Sequence, residues 1–335
     1  MATGFVPHLL VALMLISCIT LPVAAQDAGN TVMYSIVHLS DTQNLATNYP
    51  DTYNLTFSYL ESRKTRYNIS AIVITGDLVN TWDKKAEWER YRSARNLTTI
   101  PVYVIAGNHD ADYGKHYQYY SLYTGEPKTS YLTTIGDFDF VGINYADKSL
   151  SPENFSFLRE SLLNSSRSNA IIATHWYMDA DRKLSPLGKD IDRTLIVKPT
   201  LILMGHKHAD FVQQRTISGF PVVEDMTNYQ NGVPGGDGDE NYSAGTLYTV
   251  TSAGGNVAKI TSRVIHMYPN QSVGREKTVF ELPAAGVIRT GPVPDEGDGI
   301  SLQHLPEECG TLDVLCRLQI LISQSRDVFG SVFGD

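Results

Sequence analysis

Apolar residues in this chain come in short dense runs, and five of those runs stop in front of a block of chemically versatile residues, almost every one directly. The runs are Tyr34 to Leu39, Ala71 to Thr75, Val102 to Ala106, Ala170 to Thr174 and Leu201 to Met204. Each is short and rich in Val and Ile, which predicts a buried strand. Between them lie helical patterns at Asp51 to Tyr67, Trp82 to Arg95 and Ser151 to Asn164. In the last, Ser151 suits the N-cap and Pro152 the first helical position. From Phe211 to Met267 short Val/Thr/Tyr runs alternate with turn residues, as in antiparallel strands. Residues 31–283 therefore read as one α/β domain, with a mixed sheet or two packed sheets and helices outside.

Other segments fall outside this alternation. Between Gly219 and Ala258 there are acids at Glu224, Asp225, Asp237, Asp239 and Glu240, no Lys or Arg, and a glycine cluster at 232–238. This predicts a long mobile loop, solvated on the surface rather than closed over an anionic substrate that its acids would repel. Residues 284–299 form a Gly/Pro/Asp linker. In the tail, 300–335, Leu312, Leu315, Cys316, Leu318, Ile320 and Leu321 predict one amphipathic helix, too little to form a core alone.

Composition narrows the setting. The chain has 335 residues, 42% hydrophobic and 19% charged, enough for one substantial core. A net charge of −9 and the lack of any Lys/Arg run exclude long nucleic acid as a partner. The apolar stretch Phe5 to Ala25 ends in Val23-Ala24-Ala25, a pattern for signal-peptide cleavage before Gln26, so residues 1–25 predict a secreted or cell-envelope protein. Retention of that segment as a membrane anchor, or lipid attachment at Cys18, are the alternatives, and only they would bring a membrane into play. Sequons at Asn54, Asn68, Asn96, Asn154, Asn164, Asn241 and Asn270 fit an exported glycoprotein. Cys309 and Cys316 form an even pair suited to a disulfide in an oxidising compartment.

The blocks behind the strands are Asp41-Thr42-Gln43, Gly76-Asp77, Gly107-Asn108-His109-Asp110, His175 and Gly205-His206-Lys207-His208. In an open α/β sheet, groups just beyond the carboxyl ends of strands converge at one edge. Carboxylate, amide and imidazole donors in this mixture suit divalent cations, and together they read as a two-metal hydrolytic centre. Asp77, turned by Gly76, is the natural bridge between two ions. Asp41 and Gln43, two apart on an extended segment, project to the same side, and His206 with His208 offers one imidazole to each ion. No Gly-x-Ser-x-Gly, Walker loop or Cys/His nucleophile motif competes with this reading. His38 alternates with a core face and reads as structural, while His116, His266 and His304 lack neighbouring ligands. Trp82, Tyr113, Trp176, Tyr177 and Tyr229 lie near the blocks and read as wall or core before they read as a stacking surface.

In their order the five blocks resemble the signatures of the calcineurin-like metallophosphoesterase family, over roughly Tyr34 to Met267. The resemblance implies a four-layer α/β/β/α sandwich of two mixed sheets flanked by helices. It also implies two divalent ions of Mn, Fe or Zn type, one held by Asp41, Gln43, Asp77 and His208, the other by Asp77, Asn108, His175 and His206. The implied reaction is in-line hydrolysis of a phosphomonoester or phosphodiester of small or medium size by a metal-bridged hydroxide. His109 would protonate the leaving oxygen and Asp110 would orient its ring. Gln43 stands where the family usually has His, a neutral donor that weakens the first site or shifts its metal preference. Asn80 in place of a purple acid phosphatase tyrosine, and Leu78-Val79-Asn80-Thr81-Trp82 in place of a protein phosphatase Asp-Arg-Gly, leave the broad phosphodiesterase-like group. The rivals are a non-catalytic, metal-binding cell-surface protein of the same fold, which only Gln43 favours, and a metal-dependent hydrolase of another bond.

Overall fold

The computed structural model describes residues 31–127, 130–144, 149–164, 167–193, 198, 200–207, 209–217, 220–227, 241–253 and 256–281. The leader with Cys18, the glycine cluster, Tyr229, His208, the linker, and the tail with His304, Cys309 and Cys316 lie outside the described residues. In chain order the elements are β1 (Val32–Leu39), α1 (Gln43–Asn48), α2 (Pro50–Tyr67), β2 (Ile69–Ile74), α3 (Lys85–Arg95), β3 (Val102–Val104), α4 (Gln118–Thr124), β4 (Tyr131–Ile135), β5 (Phe138–Ile143), α5 (Pro152–Asn164), β6 (Asn169–Thr174), α6 (Pro186–Asp192), β7 (Thr200–Met204), β8 (Phe211–Ile217), β9 (Phe220–Met226), β10 (Ser243–Ala253), β11 (Asn256–Tyr268), β12 (Ser272–Val273) and β13 (Lys277–Glu281).

The strands form two mixed sheets, one in the order β12-β11-β10-β1-β2-β3 with β13 also paired to β11, the other in the order β4-β5-β6-β7-β9-β8. Three apolar clusters separate four layers. Leu39, Phe57, Leu60 and Trp88 lie between the first sheet and α1 to α4. Ile36, Val73, Ile171, Leu203 and Tyr248 fill the space between the sheets. Val141, Leu158, Ile172 and Ile191 lie between the second sheet and α5 and α6. Alternate residues of β1, β2, β6 and β7 thus enter different cores, which is why those strands read as continuous apolar runs. Parallel pairing of β1 with β2 and of β6 with β7 brings their carboxyl ends to the same edge of each sheet.

The expected strands are present, with ends moved by a residue or two. Ser151 accepts the N–H of Asn154 at 3.2 Å, as an N-cap should. Helix α3 begins at Lys85 rather than Trp82, because Trp82 lies in the turn before it and its carbonyl accepts the Trp88 indole N–H at 2.7 Å. The largest departure concerns the expected acidic loop. Residues 220–226 are strand β9, parallel to β7, and residues 243–253 are β10. Glu224 and Asp225 are buried and paired: Glu224 with Gln213 and Arg215, Asp225 with His38 at 2.5 Å. His38 is the structural residue expected of it, fully buried and also bonded to Thr75 Oγ1 at 2.9 Å. Every sequon asparagine lies at least partly at the surface. No helix among the described residues is long and apolar enough to cross a membrane.

Candidate metal centre

Asp41, Asp77, His175 and His206 each lie just beyond the end of a strand: β1, β2, β6 and β7 respectively. The chain must reverse sharply there, and it does so through left-handed backbone at Asp41 (φ 55°), Gly76 (φ 94°), Asp77 (φ 53°) and His206 (φ 75°). Asp and His tolerate this region better than most side chains, yet such conformations persist only where surroundings enforce them. Glycine is required beside the ligands for a second reason. A Cβ on Gly107 would stand 2.2 Å from Asp77 Oδ1, and one on Gly205 would stand 1.8 Å from Ser40 Oγ and 2.4 Å from Asp41 Oδ2. These glycines let backbone touch carboxylate.

The left-handed turn at Asp41 corrects the expectation of an extended Asp41-Thr42-Gln43 segment. Gln43 is instead the first residue of α1, with its side chain folded into the protein. Its Oε1 is buried without a hydrogen-bond partner among the described residues, a costly state for a carbonyl oxygen unless something positive meets it. Thr42 anchors the turn through its hydroxyl, 2.7 Å from Tyr53 Oη.

The densest part of the site surrounds His175, which is fully buried. Its Nδ1–H donates to the Thr75 carbonyl at 2.7 Å, leaving Nε2 as the lone-pair nitrogen of the neutral ring. That nitrogen faces Asn108 Oδ1 at 3.1 Å, Asp77 Oδ2 at 3.2 Å and His206 Nδ1 at 3.2 Å. Ligand atoms of Asp77, His175 and His206 all lie within 4.8 Å of one another. Asp77, Asn108 and His206 thus aim lone pairs at one buried spot that calls for positive charge, met by a proton on His175 Nε2 or by a divalent cation, which the donor set suits. Burial works to lower the His175 pKa, but the carboxylates of Asp77 and Asp41 outweigh it and raise it to about 9. Burial likewise opposes ionisation of Asp77, and the charges of His175 and His109 overcome it and hold that carboxyl below its usual range. Asp41 accepts the His206 N–H with both carboxylate oxygens at 3.1 Å, so the first and last blocks interlock. Asp41, Asp77, Asn108, His175 and His206 thus gather at one edge of the two sheets, with Gln43 at the start of α1 two residues beyond Asp41, while His208, the remaining expected ligand, lies outside the described residues.

His109 is half-buried beside this cluster. Its backbone N–H donates to Asp77 Oδ1 at 3.0 Å, and its ring Nδ1–H donates to the Asn80 carbonyl at 2.7 Å. Nε2 makes no hydrogen bond among the described residues. The expected role of Asp110 is corrected here: it does not orient that ring. Its carboxylate accepts the backbone N–H groups of Gly107 (2.8 Å), Leu78 (2.8 Å) and Val79 (3.2 Å). Burial, then the charge of Asp77, pushes its pKa up to about 7 against those hydrogen bonds. The orienting group is a peptide carbonyl, which no sequence motif announces. Glu87 supports it from α3, accepting the N–H groups of Asn80 (2.8 Å) and Thr81 (3.1 Å). A signal for Glu87 did exist, because it lies on the buried stripe with Trp88, Tyr91 and Ala94, an unusual place for a carboxylate.

Aromatic side chains flank the cluster. The Trp176 ring lies 5.1 Å from that of His206, and Lys207 Nζ sits 4.9 Å from the Trp176 ring centre and 3.5 Å from Asp179. Trp82 stacks on His116 at 4.4 Å. Tyr177 is core, its hydroxyl bonded to Asp192 and Arg215, whereas Tyr113 is exposed.

The family model described as calcineurin-like phosphoesterase matches residues 34–210. The uncharacterized protein YvnB of Bacillus subtilis (strain 168) is 27% identical over 236 residues, a match that covers 62% of this chain and spans only 18% of YvnB's own length. Among solved structures, purple acid phosphatase PPD1 from yellow lupin (Lupinus luteus) superposes with a TM-score of 0.54 at 12% identity, covering 75% of this chain and 54% of that one. A dimetal phosphatase from Danio rerio superposes with a TM-score of 0.51 at 10% identity, covering 74% of this chain and 99% of that one. At such identities the likeness is one of fold.

Proposed function

This chain belongs to the calcineurin-like phosphoesterase family, and from that premise we propose that it hydrolyses a small or medium-sized phosphate ester with the help of two divalent cations. The observation that supports this most is the convergence of Asn108, Asp77 and His206 on His175 Nε2, each within 3.2 Å. Asp77, Asn108, His175 and His206 would hold one cation; Asp41, Gln43, Asp77 and His208 would hold the other. When bound, such ions lower the pKa of a water and neutralise charge on the phosphoryl group.

The remaining chemistry falls to the protein. His109, with its ring fixed through Nδ1 to Asn80, presents Nε2 to the leaving oxygen and gives it a proton. Asp110 acts one step behind, tying the loop at Leu78 and Val79 to the turn at Gly107 so that Asp77 and Asn108 keep their spacing. The non-catalytic alternative leans on Gln43 alone, and the buried Oε1 of that residue, without a partner among the described residues, favours coordination over retirement from the site. Export and glycosylation belong to the same proposal, resting on the leader and on the surface position of the sequon asparagines.

The test is turnover of 4-nitrophenyl phosphate and bis(4-nitrophenyl) phosphate by the purified full chain with Mn²⁺, Zn²⁺ or Fe²⁺, alongside elemental analysis. Metal-dependent release of nitrophenol is expected. Bound metal without turnover of either ester would replace the enzyme with a metal-binding protein of the same fold.

A further inference from the structure

Beside the metal cluster the two sheets part. Strands β8 and β9 on one side and β10, β11 and the start of β13 on the other leave a cleft of about 350 Å³. The inner faces here turn from apolar to polar. Val223, Tyr248 and Ile260 belong to the inter-sheet core, but farther along the same faces stand Asp225, Thr246 and Ser262, which are only 1%, 4% and 5% exposed and line the cleft. A recess walled by buried hydroxyls contributes little by excluding water; such walls are built to meet polar ligands.

The rim is cationic. Arg263, Arg275 and Lys277 border the cleft, against Asp210 and the inner Asp225, in a chain whose net charge is −9. Arg263 is engaged by Glu276. Among the described residues neither Arg275 nor Lys277 pairs with a carboxylate, and both are exposed.

Its position relates it to the proposed chemistry. Strand β10 pairs with β1, which leads to Asp41, and β9 pairs with β7, which leads to His206. Neighbouring strands lie about 4.8 Å apart, so the cleft begins about 5 Å to the side of the ligand-bearing strands and reaches about 10 Å. Its inner wall is bonded to them, since Asp225 holds His38 of β1 at 2.5 Å. Thr227, just past β9, donates its N–H to the Met204 carbonyl directly before Gly205 and His206.

We infer that this cleft is a subsite for a second anionic group of the substrate, a phosphate set roughly 10–15 Å from the scissile phosphorus, counting both the sideways spacing and the three-residue offset along the strands, and held by Arg275 and Lys277 with Thr246 and Ser262 beneath it. The inference rests on the phosphoesterase reading. It narrows the substrate class to esters that carry a second phosphate at a distance, and it makes a bare monoester a poor representative of the natural substrate.

The experiment is calorimetric binding of non-hydrolysable α,ω-alkane bisphosphonates of increasing chain length to the metal-loaded full chain, with methylphosphonate as the single-anion reference. Affinity is expected to peak at a span of about 10–15 Å. Arg275→Gln with Lys277→Gln should weaken the peak by about tenfold and leave methylphosphonate binding unchanged. A flat dependence on length, or equal affinity in the double variant, overturns the subsite. Turnover of the two nitrophenyl esters by the same preparations reports separately on the phosphoesterase reading: failure of both the monoester and the diester would sink that reading, while the bisphosphonate series still decides whether the cleft takes an anion.

Discussion

At His109 the backbone and the ring perform separate tasks: the N–H holds Asp77, and the ring is held by Asn80. His109→Ala keeps the first and removes the second, so kcat should fall by about 10²-fold or more while elemental analysis finds the metals still bound. Native turnover in that variant would end its role as proton donor. Glu87 acts on the same ring at one remove, through the peptide of Asn80. Glu87→Ala should lower kcat by about tenfold with KM little changed, and Glu87→Gln, whose amide oxygen still accepts the two N–H groups, should recover most of it. Equal losses in both variants would make Glu87 a matter of folding only. At this scale the candidate donor types were legible, because carboxylate, amide and imidazole groups collected behind strand ends suit a divalent cation, as an isolated His38 does not. The directions of their side chains were not. Asp110 stands next to His109 in sequence, yet its oxygens turn to three peptide N–H groups that meet only in the folded loop.

Strand β9 shows how an element can be hidden by its composition. Its acids made residues 220–226 read as part of a solvated loop, but in a strand successive side chains face opposite ways. Glu224 therefore points toward Arg215 and Gln213, and Asp225 points between the sheets toward His38. Each charge is matched by a partner on another strand, which a local reading of the sequence cannot see. The His38–Asp225 contact joins β1 of one sheet to β9 of the other. Asp225→Ala leaves the buried His38 ring short of a partner and should lower the free energy of unfolding by about 1–3 kcal/mol, measured by urea denaturation. An unchanged urea midpoint would mean that the pair contributes nothing net. Helix α1 escaped notice for the opposite reason: at six residues it is too short to show a period, and it starts at Gln43, with Thr42 as N-cap, just after the left-handed turn at Asp41.

For the whole molecule, the candidate metal centre joins both sheets, since Asp41 and Asp77 follow strands of one and His175 and His206 follow strands of the other. Cations held there bind the folded state and not the open chain. A free metal concentration 100 times the dissociation constant adds about 2.7 kcal/mol of stability, so chelation should lower the melting temperature in a scanning calorimeter, with recovery on re-addition. A melting temperature indifferent to chelator would refute a cation shared between the sheets. The apolar runs, their period and the blocks behind them determined, by themselves, the α/β class, the strand ends where chemistry collects and the donor types, because each of these depends on residues close together in the chain. Tertiary structure alone decided the left-handed turns that aim the ligands, the carbonyl that orients His109, the partner of each buried acid and the cationic cleft beside the site. Those depend on groups far apart in sequence, whose hydrogen bonds and charges acquire a partner only when the two sheets come together.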